Sequence, residues 1–136
     1  MVRDQFEATN ERDFERAMGL YADDVVLIAP RIEGIQNPGT YEGKEAVGEW
    51  FGDWFRTFDR DYRFEIIEAR QLDQGAVFLF ARHGGSGRLS GAEVHGENAY
   101  LYRVRGGKII RVGFYGTRQE ALEAASLPEW SHPETD

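Results

Sequence analysis

The sequence predicts an α+β fold in which helices cover one face of a curved antiparallel sheet. Two helical patterns occupy the first half of the chain, and four strand-like runs separated by glycine-rich turns follow from Tyr62 onward. Helices that precede a run of neighbouring strands pack together on one face of the resulting sheet. At 136 residues, the chain has the length of one domain with a buried core.

The helices are indicated by apolar side chains at helical spacing. Residues 14–21 form one pattern after Asn10, a candidate N-cap, and predict a helix that ends near Asp23. Residues 47–58 form the strongest pattern, an aromatic stripe along one helix face. The capping-box spacing of residues 117–120 predicts a short last helix.

The strands are indicated by β-branched and aromatic runs. VVLIAP (25–30) predicts a short strand covered on both faces, and residues 31–42 are predicted to form a loop. The four later runs predict an antiparallel meander. In the run 76–83 both faces are apolar, so helices cover one face and a second copy of the protein is the simplest cover for the other.

Composition argues against several classes of partner. The 16 basic and 24 acidic residues give a net charge of -8, which repels nucleic acid and anionic lipid. With no cysteine there is no disulfide or thiolate nucleophile. Since the chain has neither the apolar run of a signal peptide nor that of a membrane span, we expect a cytoplasmic protein with no membrane association. The polar segment 128–136, which contains His132, is predicted to be a flexible tail.

The order and spacing of several motifs resemble the SnoaL-like branch of the nuclear-transport-factor-2-like superfamily. They are FEATNERDFERAMGLYADDVVLIAP, GTYEGKEAVGEWF and YRVRGGKIIRVGFYGTRQEALEAA, and the likeness runs from about Val2 to Leu127. The resemblance implies one domain over residues 1–127: a cone-shaped, strongly curved antiparallel sheet wrapped around about three N-terminal helices, with a pocket at its wide end. It also implies that no cofactor is used.

Fold alone does not fix the activity within this superfamily, which includes ketosteroid isomerases, polyketide cyclases, epoxide hydrolases and binding domains. The positions of the ketosteroid isomerase catalytic residues correspond here to Gln5, Ala29 and Ala99. The chain therefore lacks that catalytic apparatus. The Asp-Arg-Asp set of epoxide hydrolases has no clear counterpart, although Arg82 and Asp53 are candidates.

A glycine-rich hairpin, residues 81–99, holds the candidate catalytic residues His83, His95 and Glu97. A turn centred near Ser90 makes paired residue numbers sum to about 180, which places His83 opposite Glu97 with Cβ atoms about 5 Å apart. The resemblance maps this face of the strands to the interior of the cone. A slip of one residue would reverse the facing of a strand.

Three interpretations of this hairpin cluster are open. It is a structural polar cluster, or Glu97 orients His83 as a general acid or base, or the three side chains bind iron or another divalent metal. The resemblance argues against the metal site, so we expect neither metal nor cofactor.

The leading hypothesis is a cofactor-free isomerase, cyclase, lyase or hydrolase that acts on a small apolar molecule. The alternative is a non-catalytic ligand-binding or dimeric scaffold domain. We expect a homodimer through the convex sheet face, with Phe78, Phe80, Tyr100 and Tyr102 at the interface. The predicted ligand contacts, the last of them in the loop expected to cover the pocket, are Trp50, Phe51, Trp54, Ala29, Leu79, Ala99, Leu101, Val112, Phe114 and Tyr41.

Overall fold

Six strands form one curved, unclosed sheet that has helices on both faces. The computed structural model describes residues 2–32, 35, 37–58, 61–72, 75–87 and 91–131. The helices are α1 (Val2–Asn10), α2 (Phe14–Gly19), α3 (Lys44–Arg56), α4 (Arg118–Ala124) and α5 (Pro128–Ser131). The strands are β1 (Tyr21–Ala29), β2 (Gly39–Glu42), β3 (Arg63–Gln71), β4 (Ala76–Ser86), β5 (Glu93–Arg105) and β6 (Lys108–Tyr115). The predicted α+β class is confirmed.

The strand order is β2-β1-β6-β5-β4-β3. Strands β3 to β6 form the predicted antiparallel meander. The pairing of β1 with β6 is parallel, and the other four neighbouring pairs of the sheet are antiparallel, as predicted. Strand β2 lies within the predicted loop 31–42 and pairs with β1.

The N-terminal helices begin and end at positions set by polar side chains. Asp13, and not Asn10, caps α2, because its carboxylate accepts a hydrogen bond from the Arg16 amide at 3.1 Å. The Asn10 side chain instead accepts from the Phe64 amide at 2.8 Å and donates to the Phe64 carbonyl at 2.9 Å, which ties the end of α1 to β3. Helix α2 ends at Gly19, before the predicted boundary, and Tyr21 already belongs to β1. The predicted cap of α4 is confirmed at Thr117.

The register of β4 against β5 differs by one residue from the prediction. His83 lies opposite Gly96, and Arg82 lies opposite Glu97. Since side chains alternate between the two faces of a strand, this shift reverses the predicted facing of all of β5. Gly96 permits the close approach of His83, since a Cβ atom there would lie 2.9 Å from the imidazole Cε1 and Nε2 atoms.

The inner face of the sheet packs against α1 and α3, and the outer face has its own apolar cluster. That cluster joins Phe78, Phe80, Ala99 and Leu101 to α4 and to Trp130. Its sheet residues are thus covered within the chain: Phe78 is 0% exposed and Phe80 is 8% exposed. The residues predicted for a homodimer interface therefore do not share one exposed face, because Tyr100 and Tyr102 belong to the inner core. A homodimer stays a prediction, but these four residues cannot together form its interface.

The start of the predicted flexible tail forms α5 and is attached to the sheet. Trp130 is 1% exposed, and the Arg111 guanidinium lies 5.2 Å from the centre of its ring. Arg103, itself buried, donates a hydrogen bond to the Trp130 carbonyl. The prediction of a tail from residue 128 did not anticipate this anchor, and residues 132–136, with His132, lie outside the described residues.

In the part of the chain that the structure describes, no helix is long and apolar enough to cross a membrane.

We predict that Trp130→Ala lowers the free energy of unfolding by about 3 kcal/mol or more, because it leaves a cavity over the outer sheet face. Urea unfolding of both proteins measures this change. Leu127→Ala, at a side chain that is 47% exposed, is the matched control and is expected to cost less than about 0.5 kcal/mol. Equal effects of the two substitutions would contradict the anchoring role of Trp130.

Candidate functional site

A cavity lies between α1, α3 and the inner face of the sheet. Of the residues that the structure describes, thirteen line it, nine of these are aromatic and none is charged. It is narrow, with about 40 Å³ open to the centre of a water molecule and about 500 Å³ between the atoms once solvent at its mouth is included. The lining residues are Gln5, Phe6, Thr9, Ile35, Trp50, Phe51, Trp54, Phe55, Phe64, Asn98, Tyr100, Tyr102 and Phe114.

Helix α3 supplies four of the nine aromatic residues that line the cavity. Residues three and four apart share a helix face, which brings Trp50 and Trp54 together with ring centres 5.7 Å apart. Trp50 also stacks on Phe114 of β6, at 5.3 Å between ring centres. The helix is thus held to the sheet by the same rings that line the cavity.

The segment before β2 is attached to this wall through one backbone carbonyl. The Trp50 indole N–H donates to the Asn37 carbonyl at 3.2 Å, and the Tyr41 hydroxyl donates to the same oxygen at 2.7 Å. Ile35, from the same segment, lines the cavity. Tyr41 was predicted to contact the ligand, but it is absent from the lining and holds this segment instead.

Behind the cavity wall, three polar side chains form a hydrogen-bonded chain. The Tyr62 hydroxyl lies 2.7 Å from His83 Nδ1, and His83 Nε2 lies 2.8 Å from Asn98 Oδ1. The other amide atom of Asn98, Nδ2, lies 3.5 Å from the Tyr115 carbonyl oxygen, to which it can only donate. This fixes Oδ1 toward His83, so Nε2–H donates to Asn98 and Nδ1 accepts from Tyr62.

The imidazole in this chain is neutral. Burial lowers the pKa of His83, and the hydrogen bond to Asn98 only partly opposes that effect. Burial also raises the pKa of the Tyr62 hydroxyl, which keeps its proton and donates it to His83. Both ring nitrogens therefore take part in hydrogen bonds within the protein. His83 does not line the cavity itself, but its hydrogen-bond partner Asn98 does.

The sequence matches the model of the SnoaL-like domain over residues 2–112. The chain belongs to the SnoaL-like domain family. No curated protein matches it.

Solved structures with a similar fold share little sequence with this SnoaL-like domain. Bal32a, from a soil-derived mobile gene cassette, has a TM-score of 0.74 at 17% identity over 89% of each chain. RV0760c from Mycobacterium tuberculosis, in complex with estradiol-17beta-hemisuccinate, has a TM-score of 0.71 at 20% identity over 87% of this chain and 92% of its own. A ketosteroid isomerase-like protein from Catenulispora acidiphila, in complex with trimethylamine, has a TM-score of 0.72 at 21% identity over 96% and 95%. These likenesses establish the cone-type fold.

The structure separates the three predicted catalytic residues of the SnoaL-like domain. His83 is 7% exposed and faces the interior, whereas Glu97 lies on the exposed face and pairs with Arg82 at 3.3 Å. His95 is also exposed and lies 3.4 Å from Glu93. The pairing of His83 with Glu97 was therefore wrong. The metal interpretation loses its ligand set, and no group of three candidate ligands occurs among the described residues.

Apart from Tyr41, the predicted ligand contacts divide into three groups. Trp50, Phe51, Trp54 and Phe114 line the cavity. Three others belong to the buried inner core without being part of the lining: Ala29, Leu79 and Val112. Ala99 and Leu101 face the outer cluster, because the register of β5 is shifted, so their assignment to the pocket was wrong.

Sequence reasoning missed the polar members of the lining. Gln5 and Thr9 lie one turn apart on α1, where the Gln5 amide donates to the Thr9 hydroxyl at 3.1 Å. Their i, i+4 spacing on the same helix as Val2 and Phe6 was a usable signal of polar groups on a buried face. Asn98 was missed because it belongs to the face of β5 that was assigned to the exterior.

We predict that the buried neutral His83 makes the protein less stable in acid. Its folded pKa lies below the unfolded value, so the unfolded state takes up the proton first, and stability falls as the pH drops from about 7 through the unfolded pKa of about 6.5. Below the pKa of His83 in the folded protein, this contribution to the loss of stability no longer grows as the pH falls. His83→Gln should lose less stability than the wild type over the same pH range in urea unfolding. An identical pH dependence in both proteins would contradict the assignment.

Proposed function

We propose that this SnoaL-like domain binds a small, uncharged and largely aromatic or apolar molecule in the cavity between α1, α3 and the sheet. The observation that carries the proposal is the lining itself, in which nine of the thirteen described residues are aromatic and none of the thirteen is charged. Pockets for small molecules are mostly apolar, with a few polar groups that fix orientation. Here Gln5, Thr9 and Asn98 are such groups.

The narrow free cavity limits how a ligand is accommodated. With about 40 Å³ open to the centre of a water molecule, a ring system enters only if aromatic side chains move apart. Phe51 and Phe55 are only partly buried and pack against the inner core, so their movement exposes less buried surface than movement of the buried rings Trp50 and Trp54. Side-chain rearrangement of this kind is common on binding.

Two of the structural neighbours support a small ligand. RV0760c is in complex with estradiol-17beta-hemisuccinate, and the Catenulispora acidiphila protein is in complex with trimethylamine. The former carries a large ring system and the latter is a small amine. Of these two kinds of ligand, the ring compound suits the aromatic and uncharged lining of this chain better than the amine does.

We predict that naphthalene-2-methanol binds at least about tenfold more tightly than 2-naphthoate at pH 7, because no cation among the described lining residues can pair with a buried carboxylate. Isothermal titration measures both affinities. Thr9→Leu fills the cavity and should abolish binding, whereas Glu7→Leu, at an exposed position of α1, is the matched control. Equal affinities for the two compounds, or equal binding by the two variants, would reject this site.

A second candidate function is cofactor-free acid–base catalysis in the same cavity. The observation in its favour is the buried neutral imidazole of His83, whose pKa is lowered by burial, so it is available as a base near neutral pH. To accept a proton from a ligand, His83 must free the lone pair of Nδ1 by releasing the Tyr62 hydroxyl, because Nε2 already carries the hydrogen that it donates to Asn98.

For this second function we predict that His83→Ala lowers the turnover of a bound compound by about a hundredfold or more. His95→Ala, on the exposed face, is the matched control and should keep the wild-type rate. Product formation followed by mass spectrometry tests both variants. Unchanged turnover in His83→Ala would exclude His83 as the base, and tight binding without any product would leave ligand binding as the function.

A further inference from the structure

Two arginines lie opposite each other on the outer face of the sheet, next to α5. Arg103 of β5 and Arg111 of β6 are paired in the strand register, so their side chains leave the same face of the sheet. Arg103 is only 3% exposed, and Arg111 is partly buried. Arg103 donates a hydrogen bond to the Trp130 carbonyl, and the Arg111 guanidinium lies over the Trp130 ring. Two cations are thus held at one aromatic residue.

Neither of these guanidinium groups has a carboxylate partner among the described residues, and Arg111 Nε is buried without a hydrogen-bond acceptor there. An exposed arginine such as Arg82 is different, because it pairs with Glu97 at 3.3 Å. A buried charge is costly unless it is paired, and like charges directly opposite each other on neighbouring strands destabilise a sheet. A negative charge next to the two arginines would remove both costs, and no described residue supplies it.

We propose that Arg103 and Arg111 together bind an oxyanion, a carboxylate or phosphate group, on the outer face of the sheet. This site goes beyond the proposed function, because the sheet separates it from the inner cavity. A guanidinium presents its N–H donors as a planar fork that matches two oxygens of a carboxylate or phosphate. An oxyanion between the two side chains supplies an acceptor for Arg111 Nε and offsets the repulsion between the two cations.

Trp130 forms a rigid wall of this site but does not satisfy the two charges. Its carbonyl is neutral and accepts from only one of the five N–H donors of an arginine. Its ring face attracts the Arg111 cation but offers Nε no lone pair. The ring is fixed against Gly113, where a Cβ atom would lie 3.0 Å from it. Because Arg111 is the more exposed of the two arginines, the anion reaches the site from its side.

Two sources can supply this oxyanion. One is an anion from solution, such as inorganic phosphate or a phosphate monoester. The other is the chain itself, since Glu134 and Asp136 follow Trp130 by four and six residues in the sequence. Both sources offer the same chemistry to the arginines, so the experiment has one arm for each.

The test titrates the full chain with inorganic phosphate near neutral pH, at an ionic strength held constant with sodium chloride. Phosphate should bind at millimolar concentration and raise the unfolding temperature, because a ligand that binds only the folded state stabilises it. Arg111→Met keeps an apolar stem against Trp130 and should lower the phosphate affinity at least about tenfold, the usual loss for a charged hydrogen bond. Arg82→Met, at an exposed arginine of β4, is the matched control and should bind phosphate as the wild type does.

A full-length variant with Glu134→Gln and Asp136→Asn distinguishes the two sources. Equal phosphate affinity in this variant and the wild type would assign the site to an anion from solution. Phosphate binding that appears only in this variant, and is lost again when Arg111→Met is added, would show that the chain's own carboxylates occupy the site.

The second arginine variant, Arg111→Lys, keeps the charge but loses the planar fork, and it replaces Arg111→Met if that protein does not fold. It should still weaken phosphate binding, because an ammonium group cannot bind two oxygens side by side as a guanidinium does. The inference is overturned if neither the wild type nor the variant without Glu134 and Asp136 binds phosphate at millimolar concentration. Equal phosphate affinity in the wild type and the folded Arg111 variant would also overturn it.

Discussion

Strands β4 and β5 run side by side through eleven paired positions, and their register decides which side chains enter the cavity. With His83 opposite Gly96, the alternate residues Asn98, Tyr100 and Tyr102 face inward. A shift by one position would place the Glu97 carboxylate in an aromatic interior without a cation, at a large desolvation cost. On the outer face, Glu97 stays in solvent beside Arg82, where the ion pair itself contributes little. Burial and the missing Gly96 side chain thus act together to select the register.

The aromatic side chains of α3 have two roles that constrain each other. Trp50 and Trp54 belong to the buried core, and they are also the largest groups of the cavity wall. Packing them as tightly as a core allows leaves a narrow space, whereas a wider space would remove contacts that hold α3 to the sheet. The chain meets both needs by keeping the helix fixed on β6 through Phe114 and leaving Phe51 and Phe55 less buried.

Sequence reasoning succeeded where a periodic pattern decided the structure. The stripe in residues 47–58 predicted the helix α3, and the three ligand contacts predicted from it, Trp50, Phe51 and Trp54, line the cavity, because a helix face is fixed by spacing alone. The facing of β5 depends instead on the length of one glycine-rich turn. An error of one residue there exchanged Glu97 for Asn98 and moved Tyr100 and Tyr102 to the wrong side. The decisive signal was Gly96, whose missing side chain leaves room for His83, and such a close approach is visible only once the strands are paired.

The parallel pairing of β1 with β6 affects how the protein folds. It joins Tyr21, near the start of the chain, to Ile109, near its end, while β2 to β5 are formed from the residues between. Contacts between such distant segments carry a high loop-closure entropy and slow the folding of mainly β domains to milliseconds or seconds. Since Phe114 of β6 is also part of the cavity wall, a growing chain cannot complete that wall during synthesis until its last strand has been made. Until then, the aromatic face of α3 lacks its β6 partner and is exposed to chaperones and to aggregation.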